Sequence, residues 1–135
     1  MDTATLHPMM VHFPIALIIV GFLFATLEMF FVKCRKTQCT LKVTYWLLSL
    51  GTLSAIAAVL TGVIFTTMQS SILLPDHRTM AFATLAVALV AAALYIYYIY
   101  KAPESKILHW VAYLVYFCAV VLVSVTGHYG GMMVY

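Results

Sequence analysis

Residues 79–100 have the sequence TMAFATLAVALVAAALYIYYIY, a run without a charged side chain. A helix rises about 1.5 Å per residue, so such a run spans roughly 30 Å, which matches the hydrocarbon core of a bilayer. Three further apolar runs occur in the chain, and each exceeds the length expected of a transmembrane helix. The sequence therefore predicts an all-α integral membrane protein with four spans, at about residues 9–32, 43–68, 79–100 and 107–126.

The composition excludes most soluble classes of protein. Hydrophobic residues make up 65% of the 135 residues and charged residues only 8%, whereas ordinary soluble domains are about 45–50% apolar and about 25% charged. A soluble enzyme, a nucleic-acid-binding protein and a disordered chain are therefore all excluded. The short connections leave no room for a second domain, so residues 1–135 are predicted to form a single transmembrane domain.

Basic residues indicate how the bundle is oriented. Six of the seven lie in the first and third connections, namely Lys33, Arg35, Lys36, Lys42, Lys101 and Lys106. With four spans these two connections share one side, and the positive-inside rule makes that side cytoplasmic. The sequence thus predicts an antiparallel, up-down-up-down four-helix bundle with both termini on the outer side of the membrane. Most interfacial aromatic residues are predicted on the cytoplasmic side: Tyr45, Trp46, Tyr95, Tyr97, Tyr98, Tyr100, Trp110 and Tyr113.

Four of the five histidines are predicted at the outer end. His7 lies just before the first helix and His12 about one turn into it, while His77 begins the third helix and His128 ends the fourth. One interpretation is that they simply contact lipid headgroups. Polar residues at membrane depth are costly and usually functional, however, and histidine suits metal or haem ligation and proton transfer.

The favoured cofactor is haem b, one or two groups held without a covalent bond, because C-x-x-C-H is absent. His12 paired with His77 or His128 is the first choice of axial ligands, and His7 is the least certain. Arg78 is expected to pair with a haem propionate or, alternatively, with a lipid headgroup.

Glycines near the C-terminus fit the same hypothesis. Gly127 is predicted to end the fourth helix. Gly130 and Gly131 are predicted to let the backbone approach a cofactor edge closely.

Small residues form stripes on two helices, at positions Gly51, Ala55, Ala58 and Gly62 and at positions Ala81, Thr84, Ala88 and Ala91. Such stripes fit either a haem face or close packing between helices.

Two motifs carry a resemblance to a known family. Residues 7–17, HPMMVHFPIAL, and residues 126–131, TGHYGG, resemble those of small bacterial four-helix membrane proteins catalogued as a domain of unknown function. That family is similar to small b-type cytochromes in its histidine pattern, and relatives are joined to c-type cytochrome domains. The resemblance implies a bacterial inner membrane, whose outer side is periplasmic, and redox work facing the periplasm. By the same resemblance, His7, His12 and His128 are the family's histidines and His77 is the histidine that opens the third helix.

These observations predict a protein that transfers electrons between the quinone pool or a membrane complex and a periplasmic acceptor such as a c-type cytochrome. No quinone site can be identified in the sequence. No catalytic nucleophile, phosphate-binding glycine loop or carboxylate pair is present, so a stand-alone enzyme is not expected.

Two other functions remain open. The outer histidines and methionines form a soft ligand set for copper or zinc, although methionine also fills gaps in helix bundles. These methionines are Met9, Met10, Met68, Met80, Met132 and Met133. The chain could instead be a small accessory subunit of a larger respiratory or photosynthetic membrane complex.

Glu28 and His109 are expected near the cytoplasmic ends of the first and fourth helices. They could meet and relay protons. The alternative, which the sequence favours, is that Glu28 extends toward water and His109 lies at the interface.

Overall fold

The structure, a computed structural model, describes residues 3–31, 38–65 and 74–132, with side chains described for 9–31, 40–64 and 75–132. These residues form four α-helices: α1 (Thr3–Phe30), α2 (Gln38–Phe65), α3 (Leu74–Lys101) and α4 (Lys106–Met132). All four are long and apolar enough to cross a membrane. The prediction of an all-α chain with four possible spans is therefore confirmed.

Two predicted helix ends are wrong. α1 begins at Thr3, so the backbone of His7 lies within the helix rather than before it, and Pro8 near the start does not interrupt it. α4 continues through Gly127 to Met132. A glycine that ends a helix usually adopts a positive φ, and none of the described glycines has one.

The turn between α3 and α4 behaves as predicted. α3 ends at Lys101 and α4 begins at Lys106. The backbone N–H of Leu108 donates to Ser105 Oγ at 3.2 Å, which satisfies one of the amides left unpaired at a helix start. The connections before α2 and before α3 lie outside the described residues.

α1 packs mainly against α2 and α3 mainly against α4, while the α2–α3 and α1–α4 contacts close the bundle. Residues that ascend along α1 meet residues that descend along α2. A Cβ on Gly21 would lie 2.9 Å from Leu47 Cβ, and a Cβ on Gly51 would lie 2.9 Å from Ile18 Cγ1. Both glycines let the two helix backbones approach closely.

The other helix pairs follow the same reversed order. His77 near the start of α3 contacts Gly130 near the end of α4, and Tyr98 near the end of α3 contacts His109 near the start of α4. Glu28, late in α1, also meets His109. The bundle therefore has two distinct ends, which are called the His77 end and the His109 end below.

Small side chains fill the middle of the bundle. This alanine layer consists of buried residues from three helices: Ala55, Ala58, Ala88, Ala91 and Ala119. The two small-residue stripes thus pack helix against helix where they are buried, and Gly51 faces Ile18. The structure favours close packing over a haem face at these positions.

The outer faces of the helices are apolar. Only 22–28% of the most apolar window of each span is buried inside the bundle. Large side chains such as Phe13, Leu53 and Ile107 are exposed. An apolar surface this extensive suits hydrocarbon rather than water.

Candidate functional site

His77 is a buried polar side chain at the His77 end, with 8% of its surface exposed. Its Nδ1 lies 3.2 Å from the backbone carbonyl oxygen of Thr126. Because a carbonyl oxygen only accepts, Nδ1 must carry a hydrogen, and in the neutral ring the lone pair then resides on Nε2. Metal-ligating histidines typically have this arrangement, in which one ring nitrogen donates to a carbonyl and the other ligates.

Gly130 makes room for the His77 ring. A Cβ added at Gly130 would lie 3.3 Å from His77 Cε1 and 3.7 Å from Nδ1, closer to Cε1 than ordinary van der Waals contact. At Gly131 an added Cβ would meet nothing within 4 Å among the described residues. The first of these glycines therefore seats the imidazole against α4, while the second faces open space.

A pair of threonines lies beside the His77 ring. Thr84 Oγ1 of α3 and Thr126 Oγ1 of α4 are 3.0 Å apart. Each hydroxyl also lies within hydrogen-bond distance of a carbonyl of its own helix, on Met80 and on Leu122. The contact between the two hydroxyls joins α3 to α4 at Thr126, the residue whose carbonyl accepts the hydrogen bond from His77. The threonine pair therefore stabilises the backbone to which the His77 ring bonds.

His12 and His128 are exposed on α1 and α4. Near the His109 end the exposed rings of Phe30 and Trp110 meet edge to face at 5.9 Å between centroids. His12 precedes Phe30 by 18 residues and His128 follows Trp110 by 18 residues, which is five full turns of about 3.6 residues. Helical periodicity therefore places both histidines on the same outer flank of the α1–α4 contact and at matching depth.

The predicted site residues share one end of the bundle but not one point within it. His77 lies inside, His12 and His128 lie on the flank, and Arg78 is half-buried next to His77. Across the described residues, no group of three or more His, Cys, Asp or Glu side chains could hold one metal ion. The side chain of His7 lies outside the described residues.

At the opposite end, Glu28 and His109 do meet. His109 Nε2 lies 3.5 Å from Glu28 Oε1, and their side chains are only 15% and 12% exposed. Tyr98 stacks on the His109 ring with 4.5 Å between centroids and 11° between planes. The interpretation in which the two residues meet is confirmed, and the one in which Glu28 extends to water is wrong for this structure.

Sequence reasoning missed the role of Tyr95. It was assigned to the interfacial aromatic belt, but it is fully buried and lies edge-on to His109 at 6.4 Å. The sequence does contain an indication that Tyr95 is buried, because its spacing from Ala88 and Ala91 places all three on one face of α3. Trp46 and Tyr100, by contrast, are exposed as a belt requires.

A family model described as "Predicted membrane protein (DUF2231)" matches residues 3–135. The chain belongs to the DUF2231 family. No curated protein and no solved structure matches it. Membership of DUF2231 agrees with the resemblance to a family of small membrane proteins and leaves the cofactor to be argued from the residues.

Proposed function

We propose that this DUF2231 protein is a multi-pass protein of the bacterial inner membrane that holds b-type haem at its His77 end. In this proposal it passes electrons between the quinone pool or a membrane complex and a periplasmic acceptor such as a c-type cytochrome. The reversed order of the helix contacts supports an antiparallel bundle with both termini at the His77 end. Exposed Lys42, Lys101 and Lys106 at the His109 end support a cytoplasmic position for that end.

The hydrogen bond from His77 to the Thr126 carbonyl carries the proposal. A ring that only filled space could present either nitrogen, whereas this bond assigns the hydrogen to Nδ1 and the lone pair to Nε2. The ring is also seated against Gly130, so its orientation is set before any ligand binds. Preorganisation of this kind is what an axial haem ligand requires.

The donor set fits haem better than a bare metal ion. Haem iron needs only two axial ligands from the protein, whereas structural zinc usually takes four protein side chains. His77 would supply the first ligand, with His12, His128 or His7 as the second, and Arg78 would face a propionate. When bound, the haem supplies one-electron chemistry, and the protein residues hold it and set its orientation.

Haem content of single variants tests the proposal. We expect purified His77→Ala to lose most of the haem that wild type retains, measured as haem per polypeptide by the pyridine haemochrome assay. The matched control is His109→Gln, a histidine at the other end of the bundle, which should retain wild-type haem. Parallel His12→Ala and His128→Ala variants identify the second ligand. Full haem occupancy in His77→Ala would contradict the assignment.

Copper is the second candidate, because soft ligands are exposed at the same end. Met9 is 60% exposed and Met132 43% exposed, and exposed His12 and His128 share that end. Thioether and imidazole ligands together suit copper. Metal analysis of the same preparations separates the two: stoichiometric copper in a protein without a Soret band favours copper. A preparation with neither group favours the accessory-subunit role.

A further inference from the structure

We propose that the His109 end contains a buried proton-binding site, in which Glu28 and His109 share one proton that exchanges with water at that end of the bundle only. The site is separate from the proposed haem site. It rests on the geometry of the Glu28–His109 pair, on buried polar atoms at that end that have no hydrogen-bond partner among the described residues, and on the alanine layer between this end and the His77 end.

The pair is built to hold a proton between two acceptors. Glu28 Oε1 and His109 Nε2 are 3.5 Å apart, within ion-pair range but outside a well-formed hydrogen bond, since Nε2 has no hydrogen-bond partner among the described residues. With one proton the pair is neutral overall, whether it resides on the carboxylate or on the imidazole. Losing that proton leaves a single buried negative charge, which is costly at membrane depth.

Other buried polar atoms at this end also have no partner within the part of the chain that the structure describes. Glu28 Oε2, Tyr95 OH and Thr44 Oγ1 have no hydrogen-bond partner among the described residues, and Tyr95 and Thr44 are fully buried. Buried polar groups in native proteins are nearly always bonded to protein, ion or ordered water. Bridging water commonly joins buried hydroxyl and carboxylate groups at one end of a bundle, and a proton can move through such water.

The groups that face the pair are few. α3 contributes Tyr95 and Tyr98. α4 contributes Tyr113, whose hydroxyl lies 3.2 Å from Thr26 Oγ1 of α1, and Tyr116, whose buried ring lies 6.0 Å from that of Tyr95. On α2, Lys42 is exposed and supplies no buried charge. Glu28 and His109 are therefore the acid and base that decide the charge of this cluster among the described side chains.

The route for the proton opens on one side. His109 lies three residues after Lys106, and Lys101 and Lys106 are exposed, so water is about one turn away. In the other direction, Tyr95 and the next buried hydroxyl on α3, Thr84, are 11 residues apart, which is about 16 Å along the helix. The alanine layer fills much of that gap. The buried hydroxyls within it, on Thr52 and Tyr116, already donate to the backbone carbonyls of Leu48 and Ile18, so among the described residues no uncommitted hydroxyl continues the cluster toward the His77 end.

Infrared spectroscopy of the full-length protein in lipid nanodiscs tests the site, with spectra recorded in steps from acidic to alkaline pH. We expect a carboxylic acid band that Glu28→Gln abolishes. His109→Gln should move the midpoint of that band by about 1 pH unit or more, as neighbouring titratable groups do. Tyr95→Phe should shift the frequency of the band, whereas Tyr97→Phe, at a tyrosine that is 56% exposed, should not.

Two results would overturn the proposal. One is a Glu28 band that titrates like a water-exposed carboxyl group and is unmoved by His109→Gln and Tyr95→Phe in variants with wild-type circular dichroism. The other is a midpoint that moves when sodium is replaced by choline, since that identifies a metal-cation site instead. The experiment needs no haem, so its failure is distinguishable from failure of the proposed function.

Discussion

At the His77 end, the position of one imidazole, that of His77, depends on a glycine, Gly130, which has no side chain. His77 bonds through Nδ1 to Thr126, and its ring fits because Gly130 has no Cβ. The TGHYGG motif thus has a steric use that is independent of helix termination. Its second glycine serves the histidine of another helix.

Gly130→Ala is predicted to disturb the His77 ring. The added Cβ would lie 3.3 Å from Cε1, so the ring must move by a few tenths of an ångström, and we expect about tenfold weaker haem retention, in the range found for residues that orient metal ligands. Gly131→Ala is the matched control, because its Cβ would meet nothing within 4 Å among the described residues. Both changes raise helix propensity equally, so a difference in haem titration isolates the contact. Equal retention by the two variants would disprove the role of Gly130.

Thr84→Val is predicted to weaken the joint between α3 and α4. The change removes the 3.0 Å contact with Thr126 Oγ1, and interhelical hydrogen bonds in membranes contribute about 0.6 kcal/mol on average. The control is Ser124→Ala, whose hydroxyl is exposed and, within the described part of the chain, donates only to the Val120 carbonyl of its own helix. Unfolding in mixed micelles measures both, and a loss no greater than that of the control would contradict the prediction.

At the scale of the helices, glycine determines how closely α1 and α2 approach. A Cβ on Gly21 would collide with Tyr116 Oη, whose hydroxyl donates to the Ile18 carbonyl at 2.9 Å. That collision would also break a bond between α1 and α4. Close packing at one glycine therefore affects three helices.

Gly21→Ala and Gly51→Ala are predicted to lower the free energy of unfolding by about 1–3 kcal/mol each, the usual cost of overpacking. Gly127→Ala is the control, because its Cβ would approach only the end of the Ile15 side chain, at 3.2 Å, and that side chain can rotate. Thermal unfolding in detergent ranks the stabilities of the three variants. A Gly21→Ala variant as stable as Gly127→Ala would show that the α1–α2 packing is looser than described.

Sequence patterns predicted the elements well and their ends poorly. Runs of apolar residues are sufficient to identify helices that span a bilayer, because length and hydropathy decide that outcome. The predicted end of α4 was wrong because Gly127 resembles a helix terminator. In the structure Gly127 lies against Ile15 of α1 and Gly130 against His77 of α3, and the helix continues through both. The prediction for Tyr95 was wrong because a tyrosine near a helix end can be either interfacial or buried. Only its position on the same helix face as Ala88 and Ala91 distinguishes the two.

For the whole molecule, the distribution of charge predicts which end faces the cytoplasm. In a chain whose three cysteines are replaced by serine, Glu104→Cys in the α3–α4 turn should react with an impermeant maleimide only from the cytoplasmic side. Asp76→Cys, in the exposed first turn of α3, should react only from the periplasm. Labelling of intact cells and of inverted vesicles tests this, and the opposite pattern would invert the proposed orientation.

The candidate site was only partly predictable at this scale. Placement of His12, His77 and His128 at one end followed from counting residues along four spans. The three histidines nevertheless face different directions: His77 lies inside the bundle, and the other two lie on the α1–α4 flank. Which way each one faces depends on the rotation of its helix. The rotation of each helix about its own axis is set by small packing residues such as Gly21 and Gly51. On α2 and α3 the stripes of small residues are broad, so the sequence alone does not determine that rotation.

Haem binding is the central claim, and the absorption spectrum of the purified wild-type protein, oxidised and then reduced with dithionite, tests it most directly. The sample should come from cells supplied with a haem precursor. We predict a Soret band that sharpens and shifts on reduction, together with the split visible bands of a low-spin b-type haem. A folded protein that does not bind added haem and shows no Soret band in either state would contradict the proposal.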